Sequence, residues 1–485
     1  MDLAATRWAM PVSDYGAARL LVEEWDGGIS YASPSNTWYL WDRKCLRRDD
    51  GGLSARLVHH LGARLREMLE QAKQWLTWEI SRAMPGSPEA EVIKAVELAW
   101  KEWEAAVKYA HKLAANAGAT ALLGYLAGQA GCADEDMNER HPGWLNLDNG
   151  TLDLETSELR RPECADRITY CLPLAWNRQA GCPQFWSLLR HVAGENMDVA
   201  RYLVKLLGYS LLGDNREQVI VFIAGPTASG KSKLLHIVAE VLGPLAHVSQ
   251  SDLICVVRHG QRNARRENSI RGVRFVAITE TSRHLVIDEA QLKRLTGEPV
   301  IGVDQHYSKR EIETRVTYLI WVATNNMPTL TNYDEALRRR IIVLPGGASI
   351  PEHLQDELID KKILEAEREG ILNLLIWGCQ LYLAEHHLEM PDAVRFETER
   401  YAIEQNTVAN FMADTMVYGT WGWRGNGIPQ HQAWEQYDRW ARGGGKLTRN
   451  EFLVQMGSQP GVSWNRSSRR FEGVIWNDEY ATKIV

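Results

Sequence analysis

A chain of 485 residues is longer than a single hydrophobic core supports, so several domains are expected. Hydrophobic residues make up 45% and charged residues 24%, which excludes collagen-like, fibrous or disordered character. The net charge of −7 excludes a surface that is basic throughout, but not a local basic channel of the kind ring motors use on nucleic acid.

The longest apolar runs, such as residues 372–376, fall far short of a membrane span, and residues 1–7 lack the order of a signal peptide. A cytoplasmic protein without a membrane partner is therefore expected. The seven cysteines form no CxxC pair. Cys164, Cys171 and Cys182, with His141 and His191 nearby, fit no common zinc spacing, and reduced thiols are the plainer reading.

Trp38 and Leu40 alternate before a turn at Asp42, which predicts a small hairpin. Val58, Leu61, Leu65, Met68, Ala72 and Trp75 then recur at three- and four-residue steps, the stripe of one helix. After the break at Pro85-Gly86-Ser87-Pro88, Val92, Val96, Trp100, Trp103 and Val107 predict a second. Its tryptophans could line a DNA surface, but two helices packing their stripes together is the simpler account. Asn149-Gly150 between alternating segments predicts another hairpin, and residues 185–212 read as helical.

From Glu217 the pattern becomes α/β. Four apolar runs, at residues 219–224, 274–279, 318–324 and 341–344, predict strands of a parallel sheet covered on both faces. Directly after the first comes Gly225-Pro226-Thr227-Ala228-Ser229-Gly230-Lys231-Ser232, a GxxxxGK[ST] loop between strand and helix. Its backbone amides can wrap a β-phosphate, and glycine allows close approach. The following helix adds positive potential, Lys231 neutralises β/γ charge, and Ser232 can ligate Mg²⁺ of bound ATP.

Such chemistry also needs an acid at a neighbouring strand tip, and two candidates compete. Glu280 ends a run long enough for a central strand, so it is assigned the Mg²⁺ and attacking-water role. Asp288-Glu289 follows an apolar run of only three residues and leads into a helix, so Asp288 reads as an N-cap. Downstream, Asn325 at a strand tip suits orientation of an attacking water, a turn residue being the alternative. Arg338-Arg339-Arg340 precedes the fourth strand and is placed to supply an arginine finger, or else a solvated patch.

Taken together, residues 274–280, 292–297, 323–328, 334–345 and 369–378 resemble the superfamily 3 helicase module of the phage and plasmid primase–helicase family, related to poxvirus primase–helicases. Residues 38–42 and 145–154 look like that family's pre-helicase region. The resemblance implies an AAA+-like P-loop ATPase core, a hexameric ring, and movement on single-stranded and forked DNA while a mobile element replicates. It implies the bacterial host cytoplasm, and a separate primase or replisome protein as a further partner. It favours Arg339 and Arg340 as the finger. It also implies a hairpin over residues 300–310 that enters the ring channel, with His306, Lys309 and Arg310 on DNA; an ordinary basic surface hairpin is the alternative. This chain departs from the pattern at Ser229, where Asn is usual, at Asp304, where many members have Arg, and at Gly346, where Phe is usual.

The expected domains are a helical region with a small hairpin at 1–130, a pre-helicase collar at 131–213, the ATPase core at 214–347, a helical extension at 348–404 and a winged-helix-like region at 405–485. In the last, residues 433–442 and 448–456 read as helices and 471–476 as a wing strand. Similar tails in the family bind duplex DNA, and Arg449, Arg466, Arg469 and Arg470 could contact an origin, lone surface arginines being the equal alternative. A competing function is an initiator or replication-interference protein that assembles with ATP without unwinding; a packaging motor is a third.

Overall fold

The computed structural model describes residues 13–24, 28–33, 35–50, 90–113, 116–133, 137–138, 141–256, 269–279, 286–304, 311–330, 335–405, 407–418, 427–441 and 447–477, with isolated positions between 52 and 77 and at 267. The chain divides into two compact units. One comprises Met1–His141, Asn146–Leu152 and Leu159–Pro173; the other comprises Pro142–Leu145, Asp153–Glu158 and Leu174–Val485. Among the described residues no helix is long and apolar enough to cross a membrane.

In the first unit, α1 (Asp14–Glu24) precedes β1 (Ile29–Ser33), β2 (Thr37–Trp41) and β3 (Leu46–Arg48). β1, β2 and β3 form an antiparallel meander, and β4 (Gly131–Ala133) adds in parallel beside β1. The expected hairpin turns at Asp42, whose carboxylate accepts from the amides of Lys44 at 2.8 Å and Cys45 at 2.7 Å. The second predicted helix is α2 (Ala90–Leu113), followed by α3 (Asn116–Gln129). Trp103 and Val107 pack against a core of Ala17, Ile29, Leu40, Tyr109, Leu122 and Leu126, so this part of the stripe serves packing. The stripe from Val58 to Trp75 lies outside the described residues. Asn149-Gly150 does turn a hairpin, between β5 (Trp144–Leu147) and β6 (Gly150–Asp153), with β7 (Leu159–Arg160) beyond it.

The long segment of the second unit opens with α4 (Pro183–Val192) and α5 (Met197–Tyr209), in the stretch 185–212 that reads as helical. Gly194 (φ 66°) and Glu195 (φ 58°) are left-handed and stop the first helix. Asn196 then caps the second by accepting from Asp198 and Val199. The N-terminus of α4 has no local side-chain cap. Instead buried Glu367, from α9 (Ile359–Glu385), accepts from the amides of Gln184 and Phe185 at 3.0 and 2.9 Å. Gly208 and Gly378 let α5 and α9 touch backbone to backbone, since a Cβ at either would overlap the opposite main chain.

At the centre lies a five-stranded sheet. In chain order its strands are β8 (Ile220–Ala224), β9 (Ala246–Ser249), β10 (Phe275–Ile278), β13 (Leu319–Thr324) and β14 (Ile341–Pro345). They lie side by side as β14-β8-β13-β10-β9, every pair parallel. The four apolar runs are β8, β10, β13 and β14, buried along nearly their whole length because helices cover both faces. Ile220, Phe222, Val276, Ile320, Val322, Ile341 and Val343 form one core with Leu292 and Leu295 of α7 (Glu289–Gly297). The edge strand β9 is short and only partly buried, and carries no apolar run to announce it.

Beyond α9, α10 (Asp392–Gln405) leads to a small aromatic core. There, α11 (Thr407–Thr415), β16 (Ile428–Pro429), α12 (Gln430–Trp440), α13 (Arg449–Gly457), β17 (Ser463–Asn465) and β18 (Arg470–Glu472) follow one another. Their strands form a sheet ordered β16-β18-β17, while β15 (Met416–Tyr418) pairs with β19 (Val474–Trp476). Tyr437 stacks on Phe452 with ring centroids 4.5 Å apart, and Phe411 meets both edge to face. Thr448 and Glu451 close a capping box on α13.

Candidate phosphate-binding site

β8 delivers the chain to Gly225, and α6 (Lys231–Leu242) resumes at Lys231. The turn between them needs left-handed backbone at Ala228 (φ 57°) and Gly230 (φ 84°). Gly230 is the N-cap of α6, and among the described residues no side chain caps that helix. The positive end of the helix is therefore open to an anion from outside, which is what a phosphate cradle requires. Pro226, Thr227, Ala228 and Ser232 are exposed, whereas Ser229 and Lys231 are buried.

The ammonium of Lys231 lies inside the loop. Nζ donates to Gly225 O at 2.9 Å, Pro226 O at 2.6 Å and Ser229 Oγ at 2.9 Å. Ser229 Oγ in turn donates to Pro226 O at 2.9 Å. The hydroxyl so both accepts from Lys231 and donates to the loop carbonyl. Burial holds the Lys231 pKa below the ordinary lysine value. Among the described residues the amine is held by neutral oxygens, and a phosphate would offer stronger, charge-assisted acceptors in the same place.

A fourth bond crosses 94 residues of sequence: Lys231 Nζ donates to Asn325 Oδ1 at 3.2 Å. Asn325 stands at the tip of β13, the strand beside β8 in the sheet, and Thr324 O accepts from Gly225 N at 3.2 Å. The structure thus brings together the lysine and the amide that sequence reasoning picked separately. Glu280 lies outside the described residues; β10, which leads toward it, is the next strand beyond β13.

Asp288 is the helix cap it was read to be. Its Oδ1 accepts from Gln291 N at 3.0 Å at the start of α7. Asp288→Ala is therefore expected to cost about 1 kcal/mol of stability and leave turnover intact. Glu280→Gln is expected to retain bound ATP without hydrolysing it. Filter binding of labelled nucleotide after a single-turnover chase, run beside thermal unfolding of both variants, checks the pair. Loss of turnover in the Asp288 variant alone would reverse the assignment.

The arginine run divides. Arg338 ends α8 (Glu335–Arg338), and both it and Arg339 are exposed. Arg340, expected to pair with Arg339 as a finger, is instead buried. Its Nη1 donates to Ala336 O at 2.6 Å, and its guanidinium packs so closely on Gly297 that a Cβ there would lie 2.5 Å from Nη2. The guanidinium is engaged inside its own protomer, so only Arg339 of the pair faces outward.

A hairpin stands where one was expected at 300–310, with β11 (Val300–Asp304) and β12 (Glu311–Arg315) antiparallel from Val300↔Arg315 to Asp304↔Glu311, so that it extends to Arg315. Its tip, with His306, Lys309 and Arg310, lies outside the described residues. The structure gives a physical reason for glycine at position 346. Gly346 N donates to Ala224 O at 2.5 Å, and a Cβ there would lie 2.6 Å from that oxygen and 3.1 Å from Gly225 Cα. No side chain fits between this backbone and the loop.

Comparison with known proteins gives three findings. Residues 18–194 match the family model "D5 N terminal like". A protein of Acanthamoeba polyphaga mimivirus, named "Putative helicase L207/L206", is 23% identical over 297 residues. That alignment covers 56% of this chain and 30% of the viral protein, so the chain spans less than a third of that relative's length. Two apo structures of the NrS-1 C-terminal region align at 12% identity. One has a TM-score of 0.36 and covers 63% of this chain and 76% of the other; the second has 0.37, 66% and 87%.

Proposed function

We propose that this chain is an ATP-driven helicase of the superfamily 3 type. It would assemble as a hexameric ring, translocate on single-stranded DNA and replicate a phage, prophage, satellite or plasmid. The observation that carries the reading is the convergence of Lys231 and Asn325 at 3.2 Å where the strand tips of β8 and β13 meet. The strand order β14-β8-β13-β10-β9 supports it, because it matches an AAA+-like core with the amide strand between the loop strand and the acid strand. The helicase name of the viral relative points the same way.

In this reading residues 225–232 hold the ATP phosphates, with Lys231 on β/γ charge, and Ser232 and Glu280 hold Mg²⁺. The open N-terminus of α6 and the loop's left-handed turns fit such a ligand. Bound Mg²⁺·ATP supplies the phosphoryl group to be transferred to water; Asn325 and Glu280 orient that water. The helix–strand–strand–helix–helix–strand–strand order of residues 407–472 supports a winged-helix-like region for duplex DNA.

Strand displacement on a forked substrate with ATP tests the reading. ATP-dependent duplex binding without displacement would favour the assembling initiator instead. The hairpin makes a sharper forecast. Replacing His306, Lys309 and Arg310 together by alanine should leave basal hydrolysis intact, since they lie on other segments than the phosphate loop. DNA-stimulated hydrolysis and unwinding should vanish. The salt dependence of single-strand binding should flatten by about 0.7 for each DNA phosphate that the variant no longer neutralises. Unwinding at the wild-type rate would remove the hairpin from the channel.

A further inference from the structure

The phosphate loop is braced from outside by a segment that no sequence motif announces. When a loop turns its amides inward to receive an anion, carbonyls along it turn outward and need donors of their own. Here residues 346–350, leaving the end of β14, provide them. Gly346 N donates to Ala224 O at 2.5 Å, Ser349 Oγ to Thr227 O at 2.7 Å, and Ile350 N to Ala228 O at 2.9 Å. The last bond falls on Ala228, whose left-handed φ of 57° alanine resists.

The brace is itself anchored on both sides. Gly347 N donates to Val192 O at 2.9 Å, and His191 Nε2 lies 3.0 Å from Ala348 O at the end of α4. The same end of α4 supports the loop directly, since a Cβ on Gly230 would lie 2.8 Å from Leu188 Cδ1. Further along, Lys233 of α6 donates to Glu357 O and to Asp360 Oδ1, both at 2.8 Å. The Lys233 ammonium holds the Asp360 carboxyl below its usual value. The chain from β14 to α9 thus runs along the phosphate loop and is fastened again at the first turn of α6.

We propose that residues 346–350 are a positioning strap: they hold the phosphate loop in its anion-receiving shape before nucleotide arrives, and so set nucleotide affinity. The second half rests on the nucleotide-binding reading above; the first does not. Without the strap, part of the binding energy would be spent on ordering the loop, which weakens affinity without altering the groups that act on the bound molecule. Ser349 is accordingly a positioning residue. It contributes through Thr227 O and touches no reacting atom.

The test compares wild type with Ser349→Ala, Ser349→Thr and Gly346→Ala in the full chain. Hydrogen exchange of residues 225–230 is followed without nucleotide. Mg²⁺·ATP affinity is then titrated, with kcat measured at saturation. Ser349→Ala should speed exchange in the loop alone and weaken affinity by about fivefold, the effect of one hydrogen bond, with kcat and Tm unchanged. Ser349→Thr should restore both readouts, because it returns the hydroxyl. Gly346→Ala should act in the same direction and more strongly, by about tenfold or more, because its Cβ meets backbone that cannot step aside. Wild-type exchange and affinity in Ser349→Ala would overturn the strap, as would faster exchange throughout the protein with a lowered Tm. Failure of Ser349→Thr to rescue would overturn the role of the hydroxyl. If wild type binds no Mg²⁺·ATP, the nucleotide reading falls, while loop exchange still decides whether the strap holds the loop.

Discussion

Lys231→Ala is expected to lower ATP hydrolysis by about 10²–10³-fold, the scale on which a preorganised charge-stabilising donor acts. The protein should stay folded. Lys231 is 5% exposed, and four oxygens from the loop and Asn325 surround its ammonium. A phosphate entering the loop inherits those protons and a site that has already shed most of its water, where charge acts strongly. Alanine removes the charge and the directed donors together. The empty fold depends on Lys231 much less. Burial lowers its pKa, so at neutral pH the charged form is disfavoured in the folded chain relative to the unfolded one. That penalty is fully present below the folded-state pKa and is relieved as pH rises through it, and alanine relieves it at every pH. Unfolding midpoints of the two proteins should agree within about 4 °C. Turnover near wild type would end the ATPase reading. A collapsed midpoint with lost turnover would instead show a structural lysine.

How much of this was legible beforehand depended on whether side chains or backbone made the contact. The phosphate loop, the apolar strands and the Asp288 cap are written in residue type and period, and each formed where its pattern placed it. Asn325 was chosen for its place at a strand tip; its approach to Lys231 follows from a strand order that periodicity does not encode. The edge strand Ala246–Ser249 has no apolar run because only part of it meets the core. The break between α4 and α5 rests on two left-handed residues, and one of them, Glu195, is not a glycine. Arg339 and Arg340 are alike as letters, but β14 begins right after them and turns one inward. The strap was invisible for a similar reason. Two of its three bonds to the end of β8 and the loop come from main-chain amides, which every residue except proline carries, and its glycine is defined by what it allows to approach.

Arg339→Ala is expected to reduce turnover by roughly 10³–10⁵-fold, although Arg339 cannot serve the phosphate loop of its own protomer. β14 pairs with β8 in parallel register, Ile341 beside Ile220 and Pro345 beside Ala224. The phosphate loop follows the last of these pairs and Arg339 precedes the first, so the strand's length separates them, about 17 Å at the usual rise per residue. Arg339 is exposed at that far edge. In the proposed ring, an exposed guanidinium at the opposite end of the strands would reach the γ-phosphate of a neighbouring subunit across a head-to-tail interface. Arg340 stays untouched in this experiment, since its buried contacts with Ala336 and Gly297 would confound loss of turnover with loss of fold. Mixing Arg339→Ala protein with Lys231→Ala protein tests the shared site. An interface is intact when the first supplies Lys231 and the second supplies Arg339. With free exchange of subunits and equal amounts, this holds for about a quarter of interfaces, half for each member of the pair. Hydrolysis should therefore rise on mixing from near zero toward about a quarter of the wild-type value, if sites fire independently. A mixture as inactive as its two components, with exchange verified by subunit labelling, would show that no site is completed by a neighbour's Arg339.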